Sequence, residues 1–352
     1  MAAMKRPLYI TGGGAVTPAG LNLPQTLAAI RAGLSAYEEY LMAEPMGASQ
    51  IVSRIPTHWS LRATEWDWLV NMAARAIMDA LASTAANPRT TVLMLVLPET
   101  FRNHVAFEDI DPSGFLNAVV RACDSPFHGA SRAVDGGAAA SIAVLHQMSE
   151  ILARPGVERV LLGGVDSLVN DKDIARLAEA GRLKGFDNAQ GLVPGEAAAF
   201  VCLQSTTDPS SPGVAAIHGA GFAKEADNAL TERYSQGKAL LCALRDALNG
   251  AGNGPREPDI VFVVSNGNGE RYSGWEANIA RSRFYRTRRE MLPIAYPAMT
   301  VGEVGAAGGA LALLLAADSF TAGYAPGPVA MCEIASEAGL RAAALVSRIN
   351  FG

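Results

Sequence analysis

Residues 91–97, Thr-Val-Leu-Met-Leu-Val-Leu, form an unbroken apolar run of strand length, the pattern of a strand covered on both faces in a parallel sheet. Residues 7–11, 157–163 and 195–203 read as further strands, and so do 215–219, 260–265, a stretch near Val329 and 342–348. Between them the apolar positions change rhythm. Trp68, Leu69, Met72, Ala73 and Ile77 share one face of a helix predicted over 66–81. Residues 27–32 are helical up to a stop at Gly33. The alanine-rich stretch 137–152 predicts a buried helix, and 238–249 and the Gly/Ala-rich 306–319 predict two more. Consecutive glycines from Gly12 to Gly14 predict a tight turn after the first strand. Residues 204–213, Gln-Ser-Thr-Thr-Asp-Pro-Ser-Ser-Pro-Gly, are the clearest linker. Strand, glycine turn and helix alternate on both sides of it. The pattern predicts α/β layers built twice, one half over 1–205 and the other over 214–352.

Composition agrees with a buried core: 49% of the 352 residues are apolar and 18% charged. A net charge of −5 with no unbroken Lys/Arg run argues against a nucleic-acid binder. The longest apolar run, 305–317, is shorter than the roughly 20 residues that span a bilayer, and residues 1–6 are too short for a signal peptide. No membrane association is expected. Cys123, Cys202, Cys242 and Cys332 stand singly, so neither a disulfide framework nor a zinc site is expected, and a reducing, cytoplasmic setting is the default. Nothing in the chain calls for a metal or a cofactor.

Four passages, in order, resemble those of β-ketoacyl synthases. They are Ile10 to Gly20 (Ile-Thr-Gly-Gly-Gly-Ala-Val-Thr-Pro-Ala-Gly), Gly163-Gly164-Val165-Asp166-Ser167, Phe186-Asp187 followed by Gly191-Leu192-Val193-Pro194-Gly195-Glu196, and Gly305-Ala306-Ala307-Gly308. The last two are similar to the family's "FD … GFVxGEGAG" and "LGAAG" passages. This resemblance implies the thiolase-like fold, layered αβαβα from two similar halves and usually paired as a dimer.

The positions that carry the family's chemistry differ. The family nucleophile is a Cys at the start of the central helix, in a "TACSSG" turn where the helix's positive end favours thiolate. Here residues 133–138, Ala-Val-Asp-Gly-Gly-Ala, occupy that stretch, and matching puts Asp135 at the Cys. Asp at a helix start has a plainer role as a cap. The first family histidine, in "NAHGT", is matched by Asn268 in Ser265-Asn266-Gly267-Asn268-Gly269-Glu270, a register supported by Glu276 eight positions on. Asn donates a hydrogen bond and cannot titrate. The second, in "GHxLGAAG", falls on Gly302 or Glu303, depending on a one-residue gap, and the lysine that usually precedes it is missing. Condensation requires these groups together, so their replacement implies no competent β-ketoacyl synthase and no catalytic residue in the family sense.

The five histidines, His58, His104, His128, His146 and His218, lie elsewhere; His146 reads as a core residue and His128 as a surface-loop residue. Trp66 and Trp68 read as helix packing. Arg271, Arg281, Arg283, Arg286, Arg288 and Arg289 are the only basic concentration, read as a solvated face and secondarily as a contact for an acidic partner. The resemblance implies a silent ketosynthase homologue acting through protein binding, as a homodimer or as a heterodimer with a sister thiolase-like chain. Two precedents fit: chain-length factors, and short thiolase-fold proteins found beside type VI secretion effectors, where the partner would be secretion cargo. Two alternatives stay open. In one, Asp135 and Glu303 converge with Asn268 and serve as an acid/base pair for acyl-thioester hydrolysis or lyase chemistry. In the other, the chain holds an acyl group or an acyl carrier protein without transforming it.

Overall fold

Strands that are apolar on both faces need cover on both, and the fold supplies it with three layers of helices. The computed structural model describes residues 6–41, 49–56, 64–99, 111–207, 213–231 and 233–349. Its strands are β1 (Leu8–Val16), β2 (Tyr37–Leu41), β3 (Ser49–Ser53), β4 (Thr91–Val96), β5 (Arg132–Val134), β6 (Arg159–Ser167), β7 (Glu196–Gln204), β8 (Ala215–Lys224), β9 (Phe262–Ser265), β10 (Ile294–Ala295), β11 (Val329–Ala335) and β12 (Leu340–Arg348). Its α-helices are α1 (Leu23–Ala32), α2 (Glu65–Thr84), α3 (Pro112–Ala122), α4 (Ala140–Ala143), α5 (Met148–Leu152), α6 (Asp171–Glu179), α7 (Lys238–Gly250), α8 (Arg271–Phe284), α9 (Ala298–Val301) and α10 (Gly308–Thr321).

Ten strands form one mixed sheet in the order β10-β9-β11-β12-β8-β1-β7-β6-β4-β5, and β2 and β3 make a separate hairpin. Outward from the central β1–β8 pair, the order is β7, β6, β4, β5 on one side and β12, β11, β9, β10 on the other. The two sides also share their senses: antiparallel, antiparallel, parallel, parallel. One strand programme is therefore written twice. Val92, Met94 and Val96 of β4 and Ala342, Ala344 and Val346 of β12 face a common core with α4 and α10. The alternate residues face outward, Leu93 and Leu95 under α2 and α3, Ala343 and Leu345 under α7. This is the αβαβα layering.

Local chemistry sets the helix ends. Asn22, Thr64, Asp111 and Asn170 accept backbone N–H bonds at the starts of α1, α2, α3 and α6, and Gly33 closes α1 in the left-handed region. Middle-layer helix α10 is buried on nearly every side, as its all-round apolar sequence demands.

Two expected elements differ. Gly12 to Gly14 do not turn; they lie within β1, and the tight turn is Thr17 to Gly20, which exchange two backbone bonds. A Cβ on Gly14 would lie 2.1 Å from the Ala76 carbonyl oxygen, so the glycines let α2 press onto the strand. The helix expected over 137–152 is broken into α4, α5 and two 3-10 turns. His146 Nδ1 lies 2.7 Å from the Ala143 carbonyl oxygen and competes for the acceptor that a continuous α-helix would use. The β2–β3 hairpin, α8 and the short edge strands β5 and β10 carry no strong apolar period, and α3 and α6, though each has a clear apolar face, are short; none of these was expected.

Candidate functional site

A cavity opens where the central helices meet the ends of β9 and β11. Its floor is the start of the central helix. After β5, Gly136 and Gly137 adopt φ of 124° and 64°, and the first turn runs Gly137 to Ala139. The cap comes from far along the chain: Ser336 Oγ accepts the Ala139 N–H at 2.9 Å and donates to the Gly136 carbonyl at 2.7 Å. Gly137 and Ala138 line the cavity. Asp135 is exposed and does not line it. The expected convergence of Asp135 with Asn268 and Glu303 therefore does not occur. Two successive glycines turn the chain between Asp135 and the cavity, so the side chain at the helix mouth is the Ala138 methyl.

Asn268 and Glu303 do meet. Asn266 clamps the exit of β9 to Ala335, donating at 2.8 Å and accepting at 2.9 Å, and this aims the next residues into the cavity. Asn268 Nδ2 then donates to Glu303 Oε2 and to Glu270 Oε2, both at 2.9 Å, while its Oδ1 accepts the Glu270 N–H at 3.1 Å. Glu303 Oε1 accepts the Gly305 N–H at 3.1 Å. Of Gly302 and Glu303, Glu303 lines the cavity and Gly302 does not. Gly302 has a φ of 73°, and a Cβ there would meet the Val193 carbonyl oxygen at 2.9 Å, away from the cavity that Glu303 lines.

The cavity is acidic. Glu99, Asp166, Glu270, Glu276, Glu303 and Glu337 line it against only Arg182 and Arg341. Arg182 grips Glu270 through two bonds, at 2.7 and 2.9 Å, and also holds Glu337. Burial disfavours Glu337's charge, but Arg182 and Arg176 outweigh it and its carboxyl titrates below the ordinary value. Arg341 is locked to Glu276 at 2.8 and 3.0 Å. The remaining carboxyls lack such partners. Burial pushes Glu303 up to about 7 and Asp166 up to about 8, against opposing hydrogen bonds from Asn268 and the Gly305 N–H to the first, and from the Ala306 and Ser167 N–H groups to the second. Glu99 is also raised by burial, although it accepts the Glu337 and Ala338 N–H groups. Sequence reading passed over Asp166 except as a motif letter. Its signal was Gly305, where a Cβ would fall 1.9 Å from the Asp166 carboxylate.

Among the described residues, no cysteine or histidine lines this cavity. Cys123, Cys202 and Cys332 are buried elsewhere and Cys242 is exposed. His128 accepts the Ala130 N–H in its own loop, His146 stacks on Phe222, and His218 lies 2.8 Å from Ser347 Oγ. His58 and His104 lie outside the described residues. Trp66 packs edge-on against Phe115, and Trp68 Nε1 donates to buried Glu196. The basic concentration is no single solvated face: Arg281 and Arg289 turn inward to Glu333 and Glu257, while Arg271, Arg283, Arg286 and Arg288 are exposed. No group of three or more metal-ligating side chains occurs among the described residues.

The ishigamide ketosynthase/chain length factor superposes with a TM-score of 0.79 at 18% identity, over 99% of this chain and 100% of that one. Residues 111–208, which include the central helix, match the model of the β-ketoacyl synthase N-terminal domain. This is a thiolase-like ketosynthase fold. A second ketosynthase-fold structure, the AntDE:AntF complex of a type II PKS acyl-carrier protein with its ketosynthase, gives a TM-score of 0.80 at 15% identity over 98% of this chain and 100% of that chain. In sequence, the chain is 30% identical over 200 residues to the actinorhodin polyketide putative beta-ketoacyl synthase 2 of Streptomyces coelicolor, covering 53% of this chain and 48% of that protein. The match thus spans about half the length of that relative. Within the ketosynthase fold, the helix-mouth alanine, Asn268 and Glu303 gather at one cavity. No described helix is long and apolar enough to cross a membrane.

Proposed function

We propose that this chain is a non-condensing ketosynthase-fold subunit that pairs with a sister chain of the same fold and helps shape a cavity for carrier-bound acyl groups. Its two halves, 1–205 and 214–352, form one framework, and Ala138 takes the place that Asp135 was expected to hold. The single observation that carries this reading is the side-chain set at the cavity: a methyl, an amide and a carboxyl. A methyl cannot accept an acyl group, and Asn268 cannot move a proton. The similarity to chain-length-factor and carrier-protein complexes supports a heterodimer or an acyl carrier protein as partner. It weighs toward carrier-linked acyl chemistry rather than secretion cargo. Edge strand β5, with one side outside the sheet order, offers backbone groups for pairing. Incubating the purified chain with labelled malonyl thioesters is expected to give no extended product, and Ala138→Cys is expected to give none either. Extension by the chain alone overturns the reading.

One observation favours a second reading. Glu303 titrates near 7 within hydrogen-bond distance of Asn268, the setting of a general base for thioester hydrolysis. In that case Glu303→Gln abolishes hydrolysis on an acyl-thioester panel; unchanged turnover, or none in either protein, removes this second reading.

A further inference from the structure

The segment between β8 and α7 joins the start of α8 in one wall of the candidate cavity. Ala229 of that segment and Tyr272 and Ser273 of the helix line it. Close by in the chain stand large side chains with no cover. Leu230 follows Ala229 and is 59% exposed, while Tyr234 and Trp275 are each 50% exposed. The two rings meet edge-on with centroids 5.8 Å apart. Single exposed apolar side chains are ordinary; a group of them beside a pocket marks a place where another molecule sits.

Hydrogen bonds fix this platform to the helix. Buried Ser235 Oγ lies 3.0 Å from both Glu225 Oε2 and Glu276 Oε1. The Tyr272 hydroxyl donates to the Asp227 carbonyl, and Trp275 Nε1 donates to the Ser235 carbonyl at 3.2 Å. Asn228 Oδ1 accepts the Leu230 N–H at 3.0 Å. The exposed side chains are thus held before any partner arrives, which lowers the ordering cost of binding. Among the described residues of 225–238 and 270–276, the exposed charges are Arg233, Lys238 and Arg271, all positive, on a chain of net charge −5. The Arg271 guanidinium lies over the Tyr234 ring, 5.9 Å from its centroid. Tryptophan, tyrosine and arginine together are the composition of interface hot spots.

We propose that Leu230, Tyr234 and Trp275 are the docking anchor for the protein that brings an acyl group to the cavity, a carrier whose face is apolar and acidic. This rests on the carrier-linked reading given above and adds the surface and its mode of recognition. A carrier must settle beside the opening that its arm enters, and this platform is continuous with the cavity wall. The rings and Leu230 supply the buried contact, and the three cations set the sign of the surface that fits over them.

The test replaces Leu230 with the photo-crosslinking residue p-benzoylphenylalanine in the full chain, expressed in its native host, with Met78 on α2 replaced in a control. Both positions are exposed, so neither change disturbs the core. Irradiation is expected to link position 230, and not position 78, to a protein with a peptide bearing 4′-phosphopantetheine, the arm that marks a carrier. Adding Trp275→Ala is expected to lower that yield roughly tenfold or more, with thermal melts showing the variant folded. Crosslinks from 230 only to a sister ketosynthase chain or a second copy, equal capture from both positions, or a yield that Trp275→Ala leaves unchanged overturns the proposal. A carrier captured from 78 and not from 230 overturns it and leaves the carrier-linked reading standing. No carrier at either position, and none co-purifying with the parent chain, removes both.

Discussion

Glu303 and Asp166 are carboxyls whose folded state prefers the proton, and this has a definite sign. Burial raises them to about 7 and about 8, above their ordinary 4.5 and 3.8. Between the ordinary and raised values the unfolded chain has released these protons and the folded chain has kept them. Stability contributed here is therefore present below about pH 4 and is lost as pH rises through 7 and 8. Glu303→Gln removes the Glu303 penalty but costs a hydrogen bond, because both oxygens accept, from Asn268 and Gly305. The variant is expected to be less stable than the parent at pH 5 and to close the gap by pH 8, as read by urea midpoints. A gap constant with pH would mean that Glu303 ionises normally. Arg341 poses a different residue-scale test. It is 1% exposed and holds Glu276, so Arg341→Met leaves an unpaired buried carboxylate and is expected to cost roughly 3–5 kcal/mol. Adding Glu276→Gln is expected to recover a substantial part, a coupling that denaturant melts of the double-mutant cycle measure.

At the scale of elements, close approach is what the glycines supply. Gly14 places the Ala76 carbonyl where a Cβ would be, so Gly14→Ala is expected to force α2 off β1 and cost about 3 kcal/mol. Gly274→Ala, on an exposed helix face with open space, is expected to be neutral or stabilising by comparison. Equilibrium unfolding of both variants checks the contrast. Long stretches with an apolar pattern were readable in advance, β4 and α2 among them, whereas the short amphipathic helices α3 and α6 were passed over. The β2–β3 hairpin and α8 were not readable: β2 is mostly exposed, and α8 carries only a weak apolar stripe, so neither offered a period to read. The glycine run in β1 was misread for a related reason. Glycine serves a turn and a close helix contact equally well, and only the partner tells them apart.

For the whole molecule, the repeated strand order makes the central layer a shared property of both halves, and the candidate cavity is assembled from each. Glu99, Ala138 and Asp166 come from the first half, Asn268, Glu303 and Ser336 from the second. Limited cleavage in the 204–213 stretch is therefore expected to leave the halves associated under native conditions, with separation on size exclusion only in denaturant. Mixed with a Cys-bearing ketosynthase chain of its own system, the protein is expected to elute as a one-to-one complex. A monomer at micromolar concentration that takes up no partner counts against the pairing role. By itself, the sequence was enough for the α/β alternation, the ketosynthase resemblance and the absence of a thiol and imidazoles from the matched passages, because motif order and apolar period are local properties. Only the tertiary structure decided that Ala138 rather than Asp135 faces the cavity, that Glu303 rather than Gly302 does, and that Glu303 and Asp166 hold protons near neutrality. Direction and protonation depend on groups brought from far along the chain: a cap from Ser336, a wall at Val193, and an acidic enclosure with too few arginines to balance it.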